Sequence, residues 1–341
     1  MADGGLAVDA ARGVRTGVVP IFVWGKWGLS LFFLLCAAVA DAQPWPAKPV
    51  RFIVSFPPGG SSDLIARAVA PHMSARLGQP VVVENRPGAG GMIGVDAVAK
   101  APADGYTIGL AAAGALSSNI SLYPTMPFDP MKDLAHVSPL AMIPFFLIAH
   151  PSQPATLKEL IGAGKAKPGA LSYGHGGNGS TMHLAGELLN MLAQIRIQPV
   201  AYKGSGPVAA DVLGGQVGLG VVDVPAALAH VRAGNLRALA VTSKHRIAAA
   251  PEVPTFEEAG VPGYEAVGWF GVVAPAGTPR PVVQRLNAEI RAALESPEIR
   301  SRALDAGTEP FTSSPEEFSA MIREETKKWA EVIRTGGIRL Q

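Results

Sequence analysis

The segment Arg51-Phe52-Ile53-Val54-Ser55-Phe56 runs straight into Pro57-Pro58-Gly59-Gly60-Ser61-Ser62-Asp63. Its first half is an apolar strand pattern. Beyond it Leu64, Ile65, Ala68, Met73 and Leu77 recur at helical spacing, Gly78 stops the helix, and Val81-Val82-Val83-Glu84-Asn85 reads as the next strand. This is a β–α–β unit of the ~30 residues such units need. A glycine turn that opens a helix leaves backbone N–H groups unpaired above the sheet edge. With the positive end of the helix dipole they make an anion site. The alternative is an ordinary turn at Gly59-Gly60 with Ser61 or Ser62 as the helix cap. On this segment alone both readings stay open.

The device occurs twice. Leu171-Ser172-Tyr173 begins a strand that breaks at Gly174-His175-Gly176-Gly177-Asn178-Gly179-Ser180-Thr181, and a helical run follows through Leu184, Leu188, Leu189 and Leu192. In a two-lobed protein two such entrances can face each other across a cleft and hold one anionic ligand between two helix N-termini. Neither loop carries G-x-x-x-x-G-K-[ST], and the first lacks G-x-G-x-x-G.

Residues 1–42 are set apart from the fold. Arg12, Arg15 and Lys26 precede an apolar run, Leu29 to Val39, and Ala40-Asp41-Ala42 fits a small-residue cleavage site. The expectation is a cleaved signal peptide, a mature start at Gln43 and a periplasmic protein. The alternative, an uncleaved anchor, is opposed by Lys26 and by the shortness of the run after it. Cys36, the only cysteine, falls in that run, so the exported part is expected to hold neither a disulfide nor a catalytic thiol. The net charge of +2 and the absence of a Lys/Arg cluster speak against a nucleic-acid partner. A charged fraction of 16% with abundant Gly and Pro suits a compact α/β protein rich in tight turns.

Strands alternate with helical segments in two stretches, which implies parallel pairing in each. The predicted organisation is a first lobe over 43–149, a second over 150–241, and a return to the first over 242–341. In the second lobe the carboxyl ends of the strands should face the ligand. They carry Gly174–Thr181, Tyr202-Lys203-Gly204-Ser205-Gly206 and Asp223-Val224-Pro225. Ala113-Gly114-Ala115 closes a first-lobe strand with small residues and leaves room above the sheet edge. Near the end, Ser314-Pro315-Glu316-Glu317 has the pattern of a capping box.

Catalytic patterns are weak. Gly59-Gly60-Ser61-Ser62-Asp63 departs from G-x-S-x-G at its last position. The seven histidines include no H-E-x-x-H, so neither a metal nor a cofactor is expected. His175 and His183 beside the second loop serve either a structural hydrogen bond or a ligand. Asp63, in the first helical turn, serves either the helix dipole or a ligand amine. Asp223 stands alone at a strand end, and one carboxylate is not an acid–base pair.

Several ordered segments together resemble the Bug-type receptors of tripartite tricarboxylate transporters. They are Ser55–Asp63, Glu84-Asn85-Arg86-Pro87-Gly88-Ala89-Gly90-Gly91, Asp104-Gly105-Tyr106-Thr107 and Gly177-Asn178-Gly179-Ser180. They continue through His183–Glu187, Tyr202-Lys203-Gly204-Ser205, Gly214–Val217, Leu236–Thr242, and Trp269-Phe270-Gly271 with Ala274–Pro279. The resemblance covers nearly everything after residue 42. It implies an α/β periplasmic binding protein of type II, with a ligand cleft between two mostly parallel sheets. It also implies a carboxylate held at the two glycine loops. The expected ligand contacts are Pro58, Gly59, Gly60, Ser61, Ser62, Asp63, Ala115, Gly177, Asn178, Ser180, Thr181, Tyr202 and Asp223. The implied partners are a small mono- or dicarboxylate and the membrane subunits of such a transporter, with the receptor a monomer. A ligand sensor without a dedicated permease is the alternative, and a secreted hydrolase a minor one. Ala115 and Leu116 stand where members often carry a hydroxyl and a histidine, and Val222-Asp223 where an aromatic–Asp–Asn-like run is frequent. A more apolar wall at Ala115 and Leu116 would suit an aromatic or longer aliphatic acid better than citrate.

Overall fold

The computed structural model describes residues 45–305 and 307–339. The expected signal peptide, with Cys36, lies outside the described residues. The chain first runs β1 (Val50–Val54), α1 (Ser61–Leu77), β2 (Val81–Asn85), α2 (Met92–Ala99), β3 (Thr107–Ala112), α3 (Ala113–Leu116), α4 (Asn119–Leu122) and β4 (Leu134–Ile143). It continues with β5 (Phe145–Ala149), α5 (Leu157–Ala166), β6 (Ser172–His175), α6 (Thr181–Ala193), β7 (Gln198–Ala201), α7 (Ser205–Leu213), β8 (Leu219–Asp223), α8 (Val224–Arg232) and β9 (Arg237–Val241). It closes with β10 (Gly268–Pro275), α9 (Arg280–Leu294), α10 (Pro297–Asp305), β11 (Glu309–Pro310) and α11 (Pro315–Gly336).

These strands form two sheets, ordered β11-β4-β10-β3-β1-β2 and β7-β6-β8-β5-β9. The sheets are mixed, not mostly parallel as expected. β1 runs parallel to β2 and β3, and β6 to β7 and β8. The strands at the crossovers, β4, β5 and β10, pair antiparallel with their neighbours. Phe145–Ala149, expected to end the first lobe, lies in the second sheet, between β8 and β9. Its apolar run fits either lobe, and only the pairing decides.

The core explains the helix positions. Ile65, Val69 and Met73 of α1 pack with Phe52 and Val54 of β1 and with Leu286 and Ile290 of α9, all essentially excluded from water. Each such side chain contributes ~1.5–3 kcal/mol of transfer free energy. In the second lobe Val208 and Val212 of α7 belong to one cluster with Phe146 and Ile148 of β5. Gly78 ends α1 in the left-handed conformation at φ 70°. Ser314 and Glu317 form the expected reciprocal capping box.

The two crossovers run side by side. Phe145 N–H donates to Thr242 Oγ1 at 2.9 Å, and Thr242 N–H donates back to Phe145 O at 2.9 Å. Ile143 of β4 pairs with Gly268 of β10 in the same place.

Candidate functional site

The carboxyl ends of β1 and β3 in one lobe face those of β6, β7 and β8 in the other. The first loop is built around Asp63. Gly59 N–H donates to Asp63 Oδ2 at 3.1 Å, and Arg67 Nε and Asn85 Nδ2 donate to Oδ1 at 2.9 and 3.0 Å. Burial pushes this carboxyl up, but the bonds from Arg67, Asn85 and Gly59 outweigh it and hold it below the usual range. Gly59 takes the positive φ of the turn, 88°. The helix cap is Gly60, at φ −82°, with no side-chain cap bond, so neither Ser61 nor Ser62 acts as the N-cap. Their backbone N–H groups belong to the first turn of α1, before the first intrahelical bond, Leu64 N–H to Gly60 O.

The second loop is fixed by a pair of neutral imidazoles. His175 and His183, both buried, stack at 4.5 Å between ring centroids. His175 Nδ1 lies 3.1 Å from the Gly177 carbonyl oxygen, and Gly179 N–H donates to His183 Nδ1 at 3.4 Å. Burial, with the neighbouring His183, depresses His175 to about 3 despite the Gly177 contact; burial alone depresses His183 to about 4. Ser180 caps α6, its Oγ accepting the His183 N–H at 3.3 Å. Neither histidine lines the cavities between the lobes, and each contacts the backbone of its own loop.

The lobes touch. Ser61 N–H and Oγ–H, from the first lobe, donate to Asp223 Oδ2 in the second at 2.9 and 2.5 Å. Tyr123 Oη–H donates to Asn178 O at 3.1 Å. Glycine lets the backbones meet: a Cβ on Gly90 or on Gly114 would stand 2.5 Å from the carbonyl oxygen of Asn178 or Gly179.

Between the lobes lies a cavity of 360 Å³, at the small-molecule end of the ~300–1,000 Å³ usual for ligand sites. Pro58, Gly59, Gly60, Ser61, Ser62, Ser180, Thr181 and Asp223 line it, so the two helix N-termini do come together on one space. Gly177, Asn178 and Tyr202 line an adjoining cavity of 290 Å³ instead. The hydroxyl of Tyr202 donates to Asp211 at 2.9 Å. Two expected contacts move out. Asp63 lines neither cavity, being spent on Arg67, Asn85 and Gly59. Ala115 is fully buried, because α3 begins where the open edge was expected and carries Ala115 and Leu116 into the first-lobe core. The apolar wall comes from residues the sequence reading missed: Phe56, Ile143, Phe145, Met182, Trp269 and Phe270. Lys203 lines both cavities at their shared margin. The available signal was that Ile143, Phe145 and Phe270 all fall at crossovers, where strand ends must meet.

Among the described residues no helix is long and apolar enough to cross a membrane, and no cluster of metal ligands is present. The sequence profile described as "Tripartite tricarboxylate transporter family receptor" matches residues 65–338. Protein BugT of Bordetella pertussis is 41% identical over 307 residues, which span 89% of this chain and 94% of that one. The structure "R. palustris Rpa4515 with adipate" superposes with a TM-score of 0.83 at 38% identity, covering 86% of this chain and 99% of the other. "MatC (Rpa3494) from Rhodopseudomonas palustris with bound malate" gives 0.80 at 32% identity, covering 85% and 100%. With two lobes meeting over a lined cavity, and relatives matched along nearly their whole length, this chain belongs to the receptor family of the tripartite tricarboxylate transporters.

Proposed function

We propose that the protein is an extracytoplasmic solute-binding receptor. It captures an organic carboxylate between its lobes and delivers it to the membrane subunits of a tripartite tricarboxylate-type transporter, acting as a periplasmic monomer without catalysis. The carrying observation is the 360 Å³ cavity with the N-termini of α1 and α6 on its wall. Helix first turns supply N–H donors and partial positive charge, which favour an anion; that of α6 is free of acidic residues, while at α1 Asp223 already takes the Ser61 N–H. The adipate and malate in the two Rhodopseudomonas structures support the same ligand class. An apolar wall beside the donors suits the carbon skeleton of an acid.

A thermal-shift screen of carboxylic acids against their methyl esters tests the proposal. An acid at ~100 times its Kd should add ~2.7 kcal/mol of stability. Its ester should bind about ten- to a hundredfold more weakly, the worth of one charge-assisted hydrogen bond. If no acid raises the melting temperature, or acid and ester act alike, the proposal fails.

A further inference from the structure

The N-termini of α1 and α6 on the cavity differ in charge; those of α7 and α8 line it too, through Gly204–Pro207 and through Asp223, Pro225 and Ala226. Asp223, only 6% exposed, ends β8 in the second lobe, yet its Oδ2 takes both the N–H and the Oγ–H of Ser61 across the cleft. Its Oδ1 has no hydrogen-bond partner among the described residues. Asp63 takes the Gly59 N–H in the same turn. So the α1 end already faces the Asp223 carboxylate, while Asp63 in the same turn is ion-paired with Arg67 and lines no part of the cavity. The α6 end has no acidic residue in its first turn, and Thr181, Met182 and the exposed Lys203 line the cavity with it.

We infer that Asp223 occupies the acid seat at α1, and that the cavity therefore selects a monocarboxylate, its acid group at the α6 end and its uncharged end toward Asp223. A second ligand carboxylate would have to sit beside Asp223 or displace it from Ser61. Like charges ~5 Å apart at a protein margin repel strongly enough to cost about a hundredfold in Kd, less when salt screens them. An apolar or hydrogen-bond-donating end meets no such repulsion, and the unpartnered Oδ1 accepts a donor. Phe56, Phe145 and Phe270 on the same wall favour an apolar body. This preference would set the chain apart from its relatives with adipate and malate.

The inference rests on the solute-binding proposal above, and the test separates the two. Calorimetry at pH 7 compares four chain-matched pairs: butyrate with succinate, hexanoate with adipate, octanoate with suberate, and benzoate with terephthalate. In the best-binding pair the monoacid should bind at least tenfold tighter than the diacid. Asp223→Asn keeps an acceptor for Ser61 but removes the charge, and should narrow that gap tenfold or more. A diacid that binds the parent protein as tightly as its monoacid overturns the inference and leaves the solute-binding proposal standing. A gap unchanged in a cooperatively melting Asp223→Asn also overturns it. If that variant does not fold, the parent comparison decides. Binding by none of the eight acids overturns the monoacid preference as stated for these chains and leaves the solute-binding proposal to the acid and ester screen above.

Discussion

Gly114→Ala isolates lobe closure from folding. Gly114 lies in α3 without a positive φ, so alanine brings no backbone strain there. Within the first lobe it is a neutral to favourable exchange, since alanine is the best helix former. Across the cleft it is not. The new Cβ would stand 2.5 Å from Gly179 O and 3.4 Å from Ser180 Cα, both backbone atoms, whereas real Cβ contacts under 3.0 Å essentially never occur. The second lobe must back away by about half an ångström or more. Overpacking of this kind costs ~1–3 kcal/mol, and here the cost falls on the closed arrangement only. Affinity for a ligand that needs closure should fall about five- to 150-fold. The melting temperature without ligand should stay near that of the parent, or fall only to the extent that closure itself stabilises the protein. Calorimetric titration with the best-binding acid measures the first effect. Small-angle scattering of the ligand-free protein should show a larger radius of gyration. Gly162→Ala, in α5 with nothing within 4 Å of its new Cβ, is the matched control. Parental affinity and parental scattering in Gly114→Ala would refute the closed contact between α3 and the second glycine loop.

Two further outcomes follow from the same geometry. His175 and His183 are depressed to about 3 and about 4 in the fold, against 6.5 unfolded. Below pH ~6.5 the unfolded chain therefore binds protons that the fold does not, and stability should drop as pH falls toward 4, by ~1.4 kcal/mol per pH unit for each ring. Urea melts at pH 7, 6 and 5 check this; an equal slope in His183→Gln would place the acid sensitivity elsewhere. Asp63→Asn should cost ~1.5–3 kcal/mol at pH 7 through its lost charge-assisted bonds. Because its carboxyl is held below the ordinary 3.8, the contribution is complete above that value and fades as pH falls through the folded pKa. An Asn variant as stable as the parent at pH 7 would show that Arg67, Asn85 and Gly59 need only a neutral acceptor.

Local features of the fold were legible because they are local. The β1–turn–α1 unit and its stop at Gly78, the capping box at Ser314, and the glycine turn before α6 all rest on residues within a few positions of one another. β4 was missed because His136, Ser138 and Pro139 interrupt its alternation. The strand absorbs Pro139 through an irregularity in its pairing with β10. The site divides the same way. Both loops announced themselves by glycine content, but the bond from Ser61 to Asp223 spans 162 positions and leaves no local mark. Ala115 misled because small residues at a strand end fit an open edge and a tight helical turn equally well.

The paired crossovers at Phe145 and Thr242 have a mechanical consequence. Two pins fastened to each other allow a swing but resist a twist. A twist of one lobe on the other would have to break the Phe145–Thr242 bonds, whereas a swing about the crossovers beside Ile143 and Gly268 would not. Such a linkage would bring the lobes back to one closed register, the one in which Gly114 meets Gly179 and Ser61 meets Asp223. A partner reading the closed form would then meet a single geometry, and ligands of different strength would alter how often that geometry occurs without altering its shape.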